Sequence, residues 1–91
     1  MTSIKSAHVV GKPIRVGPGP FGIVAGLGYI WVADFGGNTV VRLNPQTGRI
    51  VGKPIKVGSA PAGLAIGAGA VWTANEAQGS VSRIKPPPRN T

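Results

Sequence analysis

Acid-base and metal chemistry need histidine, carboxylate or thiolate side chains brought together, and this chain of 91 residues offers only His8, Asp34 and Glu76, with no cysteine. Enzymes that move protons or hold catalytic metals use such groups in pairs or larger sets. His8, with no second histidine beside it, is read as a surface residue rather than a metal ligand. The glycine-rich strings VGPGPF (16–21) and GLG (26–28) lead into no helix and end in no GK[ST], so their glycines serve turns and do not cradle phosphate. No catalytic residue, no metal and no cofactor is expected. Residues suited to recognition are more numerous. Phe21, Asp34, Phe35, Asn38, Asn75, Glu76 and Gln78 fall in loops that could line a ligand face. Trp31 and Trp72 suit either core packing or a stacking platform for a sugar or base. Arg42 and Arg83 suit a structural pairing, with the Asp34 or Asn75 region or with carbonyls of a neighbouring unit, or else a ligand contact.

Several of these residues come in pairs because the chain repeats itself. VGKPIRVG at 10–17 returns as VGKPIKVG at 51–58, and the match at a shift of 41 runs without a gap from Val10/Val51 to Pro45/Pro86. Trp31/Trp72, Val40/Val81 and Arg42/Arg83 are identical, and Leu43/Ile84 is a conservative change. A fixed period of about 20 to 50 residues marks solenoids, propellers and arrays. The whole of 1–91 is therefore taken as one two-unit domain, with repeat 1 at about 10–50, repeat 2 at about 51–91 and a proline-rich tail at 86–91.

Fifteen glycines and nine prolines punctuate apolar runs too short for helices and rich in Val, Ile, Trp and Tyr, which predicts strands and no helix. The first repeat predicts strands at 9–16, 21–25, 29–33 and 39–43, and the second at 50–57, 62–66, 70–74 and 80–84. GLG and GAG suit tight hairpins, ADFGGN and NEAQG longer ones, and NPQTG a further turn. The fold class expected is all-β, a β-propeller built from two four-stranded antiparallel blades. No stretch approaches the roughly 20 apolar residues of a membrane span, and the start lacks the apolar core of a signal peptide. A cytoplasmic protein without a membrane partner is the expectation.

The repeat resembles blades of the bacterial propellers grouped with virginiamycin B lyase and the YVTN-type repeats. The likeness is carried by Pro-x-Gly at 20–22 and 61–63, the Gly-x-Gly hairpins, WVAD at 31–34 and WTAN at 72–75, the Val-x-Arg-Leu/Ile-x-Pro endings and the Thr-Gly turn at 47–48. It covers residues 10–86 and implies the propeller blade more than any activity. The lyase in that group implies a histidine base and a metal held by acidic and polar residues. Only His8 and Glu76 could serve, and the blade layout sends them to opposite faces, so no enzyme is expected. Most relatives carry six to eight blades, and this chain carries two.

Two blades leave two apolar faces open, which predicts a ring closed by oligomerisation: first a trimer of six blades, then a tetramer of eight. The opening segment HVVGKPIRV, with His8, Val9, Val10, Ile14 and Val16, is expected to be an assembly strand that completes the last blade of another copy, where SVSRIKPPP at 80–88 stops after a third strand. Trp31, Trp72, Val40, Val81, Leu43 and Ile84 are the expected inter-blade core. Lys12, Arg15, Lys53 and Lys56 guard the outer edge against unwanted pairing. Loops 16–21, 33–38, 58–62 and 75–79 share one face, while Lys5, His8, Arg49, Lys85 and Arg89 gather on the other. Ten Lys and Arg against two acids give a net charge of +8, which attracts polyanions and nucleic acid in a salt-dependent way. Weak polyanion binding and a carbohydrate-binding disc are the alternatives to a plain self-assembling scaffold.

Overall fold

The computed structural model describes residues 7–86, which hold seven strands in two antiparallel sheets and, among the described residues, no helix. The first sheet runs in order β1 (Pro20–Gly26), β2 (Tyr29–Asp34), β3 (Thr39–Leu43) and β4 (Ile55–Lys56). The second contains β5 (Pro61–Gly67), β6 (Ala70–Asn75) and β7 (Ser80–Ile84). Each hairpin between the first two strands of a sheet turns on two residues with positive φ, Leu27–Gly28 (φ 53°, 85°) and Ala68–Gly69 (φ 51°, 72°). That turn matches the right-handed twist of paired strands, so GLG and GAG fix the register that follows. Trp31 thereby sits opposite both Val24 and Arg42, and Trp72 opposite Ala65 and Arg83.

The sheets stack face to face. Strand side chains alternate between faces, and Trp31 and Val40 of the first sheet meet Val71 and Ile84 of the second, with Val24, Tyr29, Ile55, Val57, Leu64 and Ile66 packed around them. Gly22 permits this approach, because a Cβ there would run into the carbonyl oxygen of Ala62 on β5. The other face of the first sheet carries a second cluster, Val32, Val41 and Leu43 with Ile30, covered by Val16 of the incoming segment. β2 is consequently buried on both faces from Trp31 to Asp34. β6, with the same spacing of apolar residues, leaves Trp72 half-exposed and Ala74 exposed.

Four expectations are corrected here. The strand expected at 9–16 is absent: residues 7–19 form no strand, and Val9 and Val10 are each 84% exposed. A β-strand needs a partner for its backbone groups, and none of the described strands pairs with this segment. The strand expected at 50–57 shrinks to Ile55–Lys56 plus an isolated bridge between Leu43 and Ile50. Between those contacts Gly52 has φ of 72° and Pro54 lacks an N–H, so the chain loops away from β3 and returns. In place of two four-stranded units the chain forms one sheet of four strands and one of three, with the fourth strand of the first sheet taken from the second repeat. Leu43 belongs to the outer cluster beneath Val16, not to the core between the sheets. Of the tail, Pro86 is described and follows β7 as coil; the expectation for 87–91, and those for Lys5 and Arg89, lie outside the described residues.

Candidate functional site

The functional surfaces follow from comparing each residue with its equivalent 41 positions away. Val40 on β3 is fully buried between the sheets, while Val81 on β7 is 64% exposed. Trp31 is buried and donates its indole N–H to the Gly26 carbonyl at 2.9 Å; Trp72 makes the same bond to Gly67 at 3.0 Å but stands half-open. Around Trp72, a shallow concavity of about 320 Å³ is lined by Gly63, Ala65, Ala74 and Val81. A Cβ at Gly22 would strike Ala62, whereas a Cβ at the equivalent Gly63 would meet nothing within 4 Å. One face of the second sheet thus repeats, uncovered, the face that the first sheet buries. The outer edge of β7 has no strand partner among the described residues, whereas β3 pairs with β4 through Thr39 opposite Lys56 and Val40 opposite Ile55.

Neither arginine pairs with the Asp34 or Asn75 region among the described residues; Arg42 instead reaches a carbonyl of the second repeat, in the segment that completes its own sheet. Arg42 lies over the Tyr29 ring, 4.8 Å from its centroid, and its Nε donates to Val51 O at 3.4 Å within its own sheet's connection. Arg83 lies over Trp72, 5.5 Å from the ring centroid, on the open face. Each guanidinium caps an aromatic ring, an arrangement whose attraction comes from the ring quadrupole.

The loop face divides into exposed and structural residues. Phe21 and Phe35 pack edge to face with centroids 5.7 Å apart, and with Gly19 and Pro20 they line an open apolar recess of about 290 Å³. Their equivalents, Ala62 and Glu76, break the pattern, so the aromatic pair belongs to the first repeat alone. Glu76 is exposed. Asp34 and Asn75, expected on a ligand face, are instead 2% and 1% exposed and work inside the fold. Asn75 Nδ2 donates to Ser80 Oγ and Ser82 Oγ at 3.2 and 2.9 Å. Gln78 Oε1 accepts from Ser59 N at 3.1 Å and holds the linker into β5.

Sequence reasoning missed the two linkers that enter the sheets. Ala60 N donates to Asn38 Oδ1 of the preceding repeat at 2.9 Å. At the equivalent place in the first linker, Gly19 N donates to Asp34 Oδ1 of its own repeat at 2.8 Å. The residue equivalent to Asn38 is Gly79, which has no side chain to offer, and both share a positive φ of 57° and 64°. A buried N–H without an acceptor is costly, and the first linker finds its acceptor in its own repeat. The signal was present in the sequence as two coupled mismatches, Asp34/Asn75 and Asn38/Gly79, in an otherwise matching repeat.

Among the described residues no three His, Cys, Asp or Glu side chains are placed to hold a metal, and no helix is long and apolar enough to cross a membrane. No known family model and no curated protein matches the chain.

Proposed function

We propose that this chain is a self-associating propeller subunit, a non-catalytic scaffold or binding platform whose two blades join those of further copies into a closed ring. The observation that carries the proposal is the pair of equivalent surfaces: the Trp31 face is buried against the Val71 face inside the chain, and the Trp72 face stands uncovered. Copies placed head to tail extend the internal contact, and a heterologous contact of this kind closes where its rotation allows. Three copies give six blades and four give eight; the trimer is the first expectation. The likeness to virginiamycin B lyase and YVTN-type blades agrees with such a ring. The scarcity of carboxylates and histidine speaks for a scaffold over a lyase. Light scattering behind a sizing column should give a mass of three subunits, independent of protein concentration. Four subunits would replace the trimer by a tetramer, and a stable monomer would overturn ring closure.

A second property has its own observation. Lys12, Arg15, Arg49, Lys53, Lys56, Arg83 and Lys85 are exposed, while one of the two acids, Asp34, is buried. The surface is then more cationic than the composition alone indicates, which favours polyanion binding by the assembled ring. Salt-dependent retention on heparin measures it. No comparable observation singles out a carbohydrate.

A further inference from the structure

We infer that residues 9–15 of one copy form the missing fourth strand on β7 of the next, in the register that pairs Arg15 with Ser80 and Ile14 with Val81. This inference rests on the ring proposed above and names the segment and register that join its subunits.

The register is transferred from the chain's own first sheet. There, Thr39 pairs with Lys56, Val40 with Ile55 and Leu43 with Ile50. Subtracting the repeat from the outer-strand residues, and adding it to those of β3, turns these pairs into Ser80 with Arg15, Val81 with Ile14 and Ile84 with Val9. Among the described residues, neither half of the joint has a strand partner. β7 has no second neighbour among the described strands, and Val81, whose equivalent Val40 is wholly buried, is 64% exposed. The segment 9–15 forms no strand and exposes Val9, Val10 and Ile14. A strand edge with no partner among the described strands in one copy, and a segment without a strand partner in another, are what strand addition joins, with backbone hydrogen bonds giving affinity and alternate side chains giving register.

The root of the segment is already fixed for this role. Val16 packs on Val32, Val41 and Leu43, and Gly19 N is held by Asp34. In the internal linker, Val57 N donates to Asn38 O at 3.1 Å and Ala60 N depends on the Asn38 side chain. Between copies the first of these bonds can be repeated, from Val16 N to Gly79 O, but the second cannot, since Gly79 has no side chain. Asp34 supplies it from within the subunit, so the incoming segment is anchored before a partner arrives. Anchoring of this kind lowers the ordering cost of association.

The test uses cysteines, which the chain lacks. Val57 N donating to Asn38 O makes Asn38 with Val57 a hydrogen-bonded pair, so Thr39 with Lys56 is the narrow, non-hydrogen-bonded kind. The equivalent Arg15 and Ser80 then lie within disulfide reach. Full-length Arg15→Cys and Ser80→Cys chains, prepared separately, are mixed, oxidised and run on a non-reducing gel, with Arg15→Cys and Ser82→Cys as the pair slipped by two residues. The expected result is a dimer band from the first mixture, several-fold stronger than from the second. Light scattering is run on the same samples before oxidation. A ring mass with no dimer band, or with a stronger band from the slipped pair, would overturn the register and leave the ring standing. A single-chain mass would overturn both.

Discussion

At the scale of the residue, the difference between Gly22 and Gly63 holds most of the information about association. Both follow a Pro-x pair at the start of an inner strand, and neither needs a left-handed backbone. Gly22 is required because a Cβ would collide with the Ala62 carbonyl oxygen, and backbone cannot yield as a side-chain tip can. Around Gly63 there is open space in the single chain. In the ring proposed here, Gly63 would face the carbonyl of Phe21 in the next copy. Gly63→Val should therefore leave the β-sheet circular dichroism of the subunit intact, valine being favoured in strands, while reducing its mass in solution to one chain. Gly22→Ala should instead destabilise the subunit itself, by about 1–3 kcal/mol as overpacking usually does, read as a lower denaturation midpoint. An unchanged ring mass for Gly63→Val would mean that the open Trp72 face is not where copies meet.

At the scale of the element, β2 and β6 share a sequence pattern and differ in what covers them. Trp31 lies against Val40, Val71 and Ile84. Trp72 has its own hydrogen bond and a guanidinium above it but no opposing sheet. Trp31→Ala should cost about 3–5 kcal/mol, the usual range for removing a large buried aromatic. Trp72→Ala should cost clearly less in denaturation of a single-chain variant such as Gly63→Val, yet weaken association of the otherwise native chain, seen as a concentration-dependent mass. Equal losses for the two tryptophans in the single-chain background would contradict the exposure difference. Much of the fold was legible at this level. The repeat, the positive-φ hairpin turns and the apolar alternation placed six of the strands to within a residue at each end. The outer strands were not legible, because 9–16 and 50–57 have strand composition while their pairing depends on which edge lies beside them. The first has no strand partner among the described residues, and the second loops away from β3 around Gly52 and Pro54. Of the loop residues, Asp34 and Asn75 were misplaced because a polar residue after a strand looks solvent-facing. Their burial became apparent only with Gly19 N and the serines of β7 as partners.

At the scale of the whole molecule, the proposed ring would bring charge and closure together. Each copy carries +8, so a trimer carries +24 in one particle. In the proposed joint, Lys12 and Arg15 of each copy take the rim positions that Lys53 and Lys56 hold on the neighbouring blade. A polyanion long enough to follow the rim would then meet several such pairs at once, and each further contact would form at high effective concentration. Binding that releases counterions falls steeply as salt rises, with a slope set by the number of charges engaged. The ring should therefore elute from heparin at higher salt than the single-chain Gly63→Val variant, although both have the same charge per chain. Arg15→Glu, at the rim, should lower the elution salt of the ring more than that of the single chain, because the change recurs in every copy. Salt dependence would also separate charge from stacking, since the exposed Phe21 and Phe35 could hold an aromatic ligand by contacts that salt does not weaken. Identical elution of ring and single chain would show that the attraction belongs to the chain's charge alone and that closing the ring adds nothing to it.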